Sequence, residues 1–244
     1  MTETTTIDPA NRSPTISLPG PHTLVVGACT TFVVSAVDPD HDPVTLTCTK
    51  KPSGASFDGA NLSWCAAVDD CGTTNEVEFV ADDQQGETNS VVTNTTWITV
   101  PFDSDDDTLS DAWEWENFGE YSWDAPDDPD GDGMINYEEY LAGTQPTNAD
   151  SAFLVGTVAG SESEHRIAVP TRGGRKYTIQ FRDAGMVGAG AWSGFSNTAN
   201  GIGTWTETND SGSFTFVDDE SSETTGGPPA GGRRFYRVRV EMAP

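Results

Sequence analysis

The chain has 244 residues, of which 12 are basic and 39 acidic, for a formal charge of -27 and a pI of about 4.1. This balance argues against nucleic-acid binding, which runs through basic patches, and no apolar run approaches the roughly 20 residues of a membrane-crossing helix. With 35% hydrophobic residues and 25 glycines the chain can still build cores, enough for one or two domains of about 100–200 residues.

The first six residues carry neither the basic nor the apolar stretch of a signal peptide. Residues 1–12 read as an extended polar tail, and 2–7 has strand propensity without a core of its own. Residues 13–101 read as short strands at 23–26, 31–37, 44–49, 55–57, 61–64, 76–81 and 96–100, separated by Asp-Pro, Asp-Gly and Gln-Gly turns. About seven strands in roughly 85 residues suit an immunoglobulin-like β-sandwich. Cys29, Cys48, Cys65 and Cys71 form an even set without metal-type spacing, which predicts disulfides and an oxidising compartment. In such a sandwich, antiparallel neighbours place Cys29 beside Cys65 and Cys48 beside Cys71, the two bridges expected. Asp38, Asp40 and Asp42, with Asp82, Asp83 and Glu87, fall at one end of this sandwich and read as solvated turns, with calcium binding there as the alternative. The runs Ala36-Val-Asp-Pro-Asp-His-Asp-Pro-Val, Pro52-Ser-Gly-Ala-Ser-Phe-Asp and Val77-Glu-Phe-Val-Ala-Asp-Asp resemble the cadherin-like and Ig-like modules of bacterial secreted and surface proteins.

Residues 102–150 hold 16 acids and no base. Such a stretch repels itself and stays unfolded unless cations neutralise it. Asp103, Asp105, Asp107, Leu109, Asp111 and Glu114 occupy places 1, 3, 5, 7, 9 and 12 of an EF-hand-like loop, with Thr108 where the loop prefers Gly. A second copy, Asp128, Asp130, Asp132, Met134, Asn136 and Glu139, matches the motif without a gap and has Gly133 at the turn. The chemistry explains the spacing. Calcium takes about six to eight oxygens, so alternate carboxylates on a tight loop converge on it, residue 7 lends a carbonyl and the last Glu closes the shell. Each loop runs into a short helix, the second capped by Asn136 and ended by Gly143. The substitution at Thr108 makes the first site the weaker. The pair, with the tail Glu139-Tyr-Leu-Ala-Gly-Thr-Gln-Pro-Thr-Asn-Ala-Asp150, resembles the thrombospondin type 3 repeats of bacterial surface proteins, which implies two bound Ca2+ ions.

Residues 151–244 carry nine of the 12 bases. The stretches 176–182 and 234–240 alternate as half-buried strands, with Tyr177, Ile179 and Phe181 sharing one face of the first and Tyr236, Val238 and Val240 one face of the second. Trp192 and Trp205 read as core, and Arg237 and Arg239 share a strand face. The segment resembles the small C-terminal β-sandwich that follows calcium repeats in secreted bacterial proteins. His22, His41 and His165 lie in unrelated contexts beside no nucleophile, so no catalytic site is read. The expected fold is mainly β, two sandwiches (13–101 and 151–244) joined by a helical calcium-binding segment (102–150). The expected function is non-catalytic: an extracellular or cell-surface structural or adhesion protein, assembling head-to-tail with its own copies or with other surface proteins. The alternative is an ancillary glycan-binding portion of a secreted polysaccharide-active enzyme.

Overall fold

The computed structural model describes residues 10–158, 164–184, 192–197 and 201–244, so the 2–7 stretch of the tail lies outside the described residues. The chain divides into two compact units, Met1–Trp123 and Asp124–Pro244. It is mainly β. No helix among the described residues is long and apolar enough to cross a membrane.

The first unit contains β1 (Thr15–Ser17), β2 (His22–Thr23), β3 (Cys29–Val33), β4 (Ser35–Val37), β5 (Thr45–Lys50), β6 (Ser56–Phe57), β7 (Asn61–Cys65), β8 (Thr74–Asp82) and β9 (Val91–Thr99). They form the sheets β1-β4, β2-β9-β8-β5 and β3-β7-β6. Alternation sets their inner faces: Val77, Phe79 and Ala81 of β8 are wholly buried and share a core with Phe32, Leu62, Trp64 and Ile98. The Trp64 indole is satisfied there by donating to the Ser53 carbonyl at 3.0 Å. The single strand expected at 31–37 is two. The Val34 N–H donates to Ala60 O, and the chain passes at that point from pairing β7 to pairing β1.

Cys29 and Cys65 face each other across β3 and β7 and are joined by a disulfide, as expected. The second expected bridge is absent, and Cys48 and Cys71 are free thiols. Cys48 sits opposite Phe79. From Phe79 back to Thr74 the extended strand covers about 17 Å at roughly 3.4 Å per residue, and Cys71 lies beyond that end. Antiparallel direction was sound, but register keeps the sulfurs apart. Burial pushes both thiols above the ordinary cysteine range.

The unit ends in α1 (Asp111–Phe118). Its Trp115 ring lies so close to Gly27, a residue at φ +80°, that any Cβ there would overlap it.

The second unit begins with α2 (Asn136–Ala142) and continues through β10 (Gly156–Val158), β11 (His165–Arg172), β12 (Arg175–Asp183), β13 (Ser193–Gly194), β14 (Thr204–Glu207), β15 (Ser211–Asp218) and β16 (Arg234–Met242). Its sheets are β10-β11-β15 and one centred on β12, which pairs β13, β14 and β16. Tyr177, Ile179 and Phe181 point inward to Ile167, Val169, Phe195 and Phe216. Trp205 packs on this core, stacked on Phe214 at 4.3 Å. Trp192 does not: it lies beneath the guanidinium groups of Arg237 and Arg182, 4.7 and 5.3 Å from its ring. Cation-π contacts from two arginines hold the ring where a core contact was expected. A buried ionic cluster crosses the unit, with Arg234 bound to Asp183 at 2.6 Å and to Asp218 at 2.9 Å, and Tyr236 donating to Asp218.

Candidate metal centre

Both acidic loops close on themselves through their own carboxylates. In the first, Asp103 accepts the N–H groups of Asp107 and Thr108, and Asp107 accepts that of Leu109 at 2.7 Å. In the second, Asp128 accepts from Gly131 and Gly133, Asp130 from Asp132, and Asp132 from Met134 at 2.7 Å. The result is two convergent groups, Asp103, Asp105 and Asp107 in one loop and Asp128, Asp130 and Asp132 in the other, each with carboxylate oxygens within 4.8 Å of one another.

The backbone follows the same course twice. Gly131 and Gly133 adopt φ +75° and +99°, and Asp106 and Thr108 take up the matching left-handed positions at +61° and +84°. Glycine does this freely, whereas a β-branched Thr is strained there. Asp106 carries a chain turn.

The residues at the ends of the loops are buried. Leu109, Asp111, Glu114, Asn136 and Glu139 are all 0% exposed. Ser110 caps α1 by accepting the Trp113 N–H at 3.2 Å, and Asp111 accepts the Ser104 N–H. Asn136 was expected to cap α2. Ile135 occupies the cap position instead, and Asn136 is the first helical residue, its Nδ2 donating to Asp124 O at 3.0 Å. With its amide turned to Asp124, Asn136 leaves its Oδ1 facing inward.

Several of these buried oxygens have no hydrogen-bond partner: both of Glu114, both of Glu139, Asp111 Oδ2, Asp130 Oδ2 and Asn136 Oδ1. Burial, reinforced by Asp105, Asp107, Asp111 and Asp103, pushes the Glu114 carboxyl up to about 8. Burial together with Asp130, Asp132 and Asp128 pushes Glu139 up to about 7. A buried carboxylate without donors is costly. A hard divalent cation would supply what the protein's own donors do not, and the residue set is the all-oxygen kind that suits calcium. The residues therefore fit the ion.

The loops belong to different units, residues 103–114 to the first and 128–139 to the second. Each is tied down locally. Near α1 the Tyr121 hydroxyl donates to Val26 O. At the far end of α2 two arginines grip the helix carbonyls: Arg172 donates to Gly143 O at 2.8 Å and Arg175 to Tyr140 O at 2.8 Å, with Arg175 also over the Tyr140 ring. Cations at a helix C-terminus oppose the negative end of its dipole. Motif spacing does not reveal these anchors, because they come from strands more than 25 residues away.

No protein family model matches the chain, and no curated protein matches it in sequence. Among solved structures, the SrpA adhesin from Streptococcus sanguinis is similar over 66% of this chain and 87% of its own, at 11% identity and TM-score 0.29. An endo-fucoidan hydrolase of glycoside hydrolase family 107 is similar over 38% of this chain and 14% of its own, at 21% identity and TM-score 0.29. The secreted serine protease VesC from Vibrio cholerae covers 95% of this chain and 51% of its own, at 10% identity and TM-score 0.26. The chain spans less than a fifth of that hydrolase and of two alpha-galactosidase-like structures from Bacteroides fragilis. Likenesses this slight carry no argument about activity.

Proposed function

We propose that this protein is a non-catalytic, calcium-stabilised structural or adhesion module of the extracellular space, two β-sandwich units each carrying one EF-hand-like calcium loop. The observation that supports it is the pair of wholly buried, unpartnered carboxylates of Glu114 and Glu139, each at the closing place of an acidic loop. The Cys29–Cys65 disulfide accords with an oxidising compartment. Extracellular calcium modules work at dissociation constants of about 10⁻⁴–10⁻³ M, so occupancy there needs no high affinity. Binding at such loops stabilises the fold by linkage. Scanning calorimetry in millimolar calcium and in excess chelator is the test: calcium should raise the unfolding temperature and protect residues 102–150 from proteolysis. An unchanged melting curve and an unchanged digest would end this reading.

A second reading, glycan binding, is favoured by one feature. Trp192 lies beside Arg182 and Arg237, guanidinium groups suited to carboxylate or sulfate groups of acidic sugars. The same basic strand face suits head-to-tail contact with the acid-rich remainder of another copy. Replacing Arg237 and Arg239 with Glu separates the two readings: loss of self-association in sedimentation supports assembly, and loss of retention on an acidic polysaccharide column supports glycan binding.

A further inference from the structure

We propose that the outer edge of β16 takes up residues 2–7 of a second copy as an added antiparallel strand; this rests on the structural reading above and names its assembly contact, but it does not depend on the calcium loops. Among the described residues β16 pairs β12 alone, from Arg234 to Met242 without a shift of register. The bonds of that ladder fix which backbone groups are left over. The Ala184 N–H donates to Arg233 O and the Ala243 N–H to Gly174 O, so the odd-numbered residues of β16 bond to β12, and the N–H and C=O groups of Tyr236, Val238 and Val240 point to the open side. A long, regular edge is a template for another strand, which proteins ordinarily block with a proline or a bulge. β5 has such an irregularity between Cys48 and Lys50; β16 has neither device.

Charge and shape select the occupant. The outward face of β12 and β16 carries Lys176, Arg182, Arg237 and Arg239 against one acid, Glu241, which Lys176 and Arg239 share at 3.2 Å each. Phe235, on the same face, is 47% exposed. The matching partner is an extended segment with an acid and an apolar residue on one side. Residues 2–7, Thr-Glu-Thr-Thr-Thr-Ile, supply it: the threonines suit a strand, and Glu3, Thr5 and Ile7 share a face. One antiparallel register sets Glu3 against Arg239 and Ile7 against Phe235 together, as the closer non-bonded pairs, with Thr4 and Thr6 bonded to Val238 and Tyr236. A second β16 fits worse, because pairing centred on Val238 sets Arg237 against Arg239. α2 also approaches β16, but its anchor Arg175 is paired with Met242, away from Phe235 to Arg239.

Sedimentation velocity of the full chain over a range of concentrations reads the contact. The wild type should self-associate as concentration rises. Thr4→Pro/Thr6→Pro removes the two N–H groups that bond to the edge, leaves both cores untouched, and should weaken association about tenfold or more. Glu3→Arg and Arg239→Glu should each weaken it, and the two together should restore it, a recovery that a general attraction between a basic face and an acidic surface does not produce. The proposal is overturned if the wild type stays monomeric at every concentration, if the proline variant associates as the wild type does, or if the combined charge reversal recovers nothing. Failure of the calcium reading looks different: the proline variant would still lose association, in a protein whose melting curve calcium leaves unchanged.

Discussion

Glu114 places a whole carboxylate inside the protein without a donor, and Glu139 does so with only the Thr144 hydroxyl beside it, so replacing either with Gln has opposite effects in two solutions. In chelator the neutral amide removes the cost of protonating or burying a carboxylate on folding, and the unfolding temperature should rise. In calcium the bidentate ligand is gone, and most of the calcium-induced rise at that loop should vanish; a parallel drop in both solutions would mark the glutamates as mere packing. Thr108 allows a converse test. Its φ of +84° costs a β-branched residue about 1–2 kcal/mol, partly offset in a glycine by chain entropy. Thr108→Gly should therefore stabilise the protein by about 1 kcal/mol and tighten the first loop, as read by denaturant melts and calcium titration. Equal affinities before and after the change would separate backbone strain from ion binding.

At the scale of elements, α2 depends on two arginines it does not contain. Arg175→Ala removes both the bond to Tyr140 O and the stacking on its ring, and should cost about 1–2 kcal/mol while weakening calcium at 128–139 and leaving 103–114 unaffected. Loss at both loops would argue for general unfolding. Period-two alternation made β8, β12 and β16 legible in the sequence, since Val77-x-Phe79-x-Ala81 and Tyr177-x-Ile179-x-Phe181 each bury one face. The first half of β9 was hidden because Val91, Thr93, Asn94 and Thr95 are mostly exposed, and strand pairing with β8 alone orders them. The acid triplets and their left-handed turns could be read from spacing. What could not were Arg172 and Arg175, whose roles depend on contacts across 29 and 35 residues, and the burial of Asp38, which a polar turn gives no reason to expect.

For the whole molecule, acid stability is governed by carboxylates held low. Glu207 accepts the Asn209 N–H at 2.9 Å and the Thr171 hydroxyl at 2.8 Å, bonds that bring it down to about 2. Asp183 is lowered by its bond to Arg234. Asp218, although burial pushes it up, is brought below its ordinary value by Tyr236 and Thr225. A carboxyl whose folded value lies below its unfolded one of about 4 stabilises the fold above that pH and loses the effect as pH falls towards the folded value. The second unit should therefore weaken between about pH 4 and 2. Glu207→Gln should be less stable than wild type at neutral pH and converge with it near pH 2, as followed by Trp205 fluorescence during acid titration. Curves that stay parallel down to pH 2 would show that Glu207 contributes through shape alone.

The boundary between Trp123 and Asp124 separates none of the predicted ligands from its loop: Asp103 to Glu114 all lie before it and Asp128 to Glu139 all after it. On the proposed function, each half of the chain would thus carry the ligands of its own ion. Such a layout is portable. If the proposed calcium loops bind as argued, a gene rearrangement that duplicated, exchanged or discarded either half would move that half's calcium dependence with it, and the half left behind would keep its own.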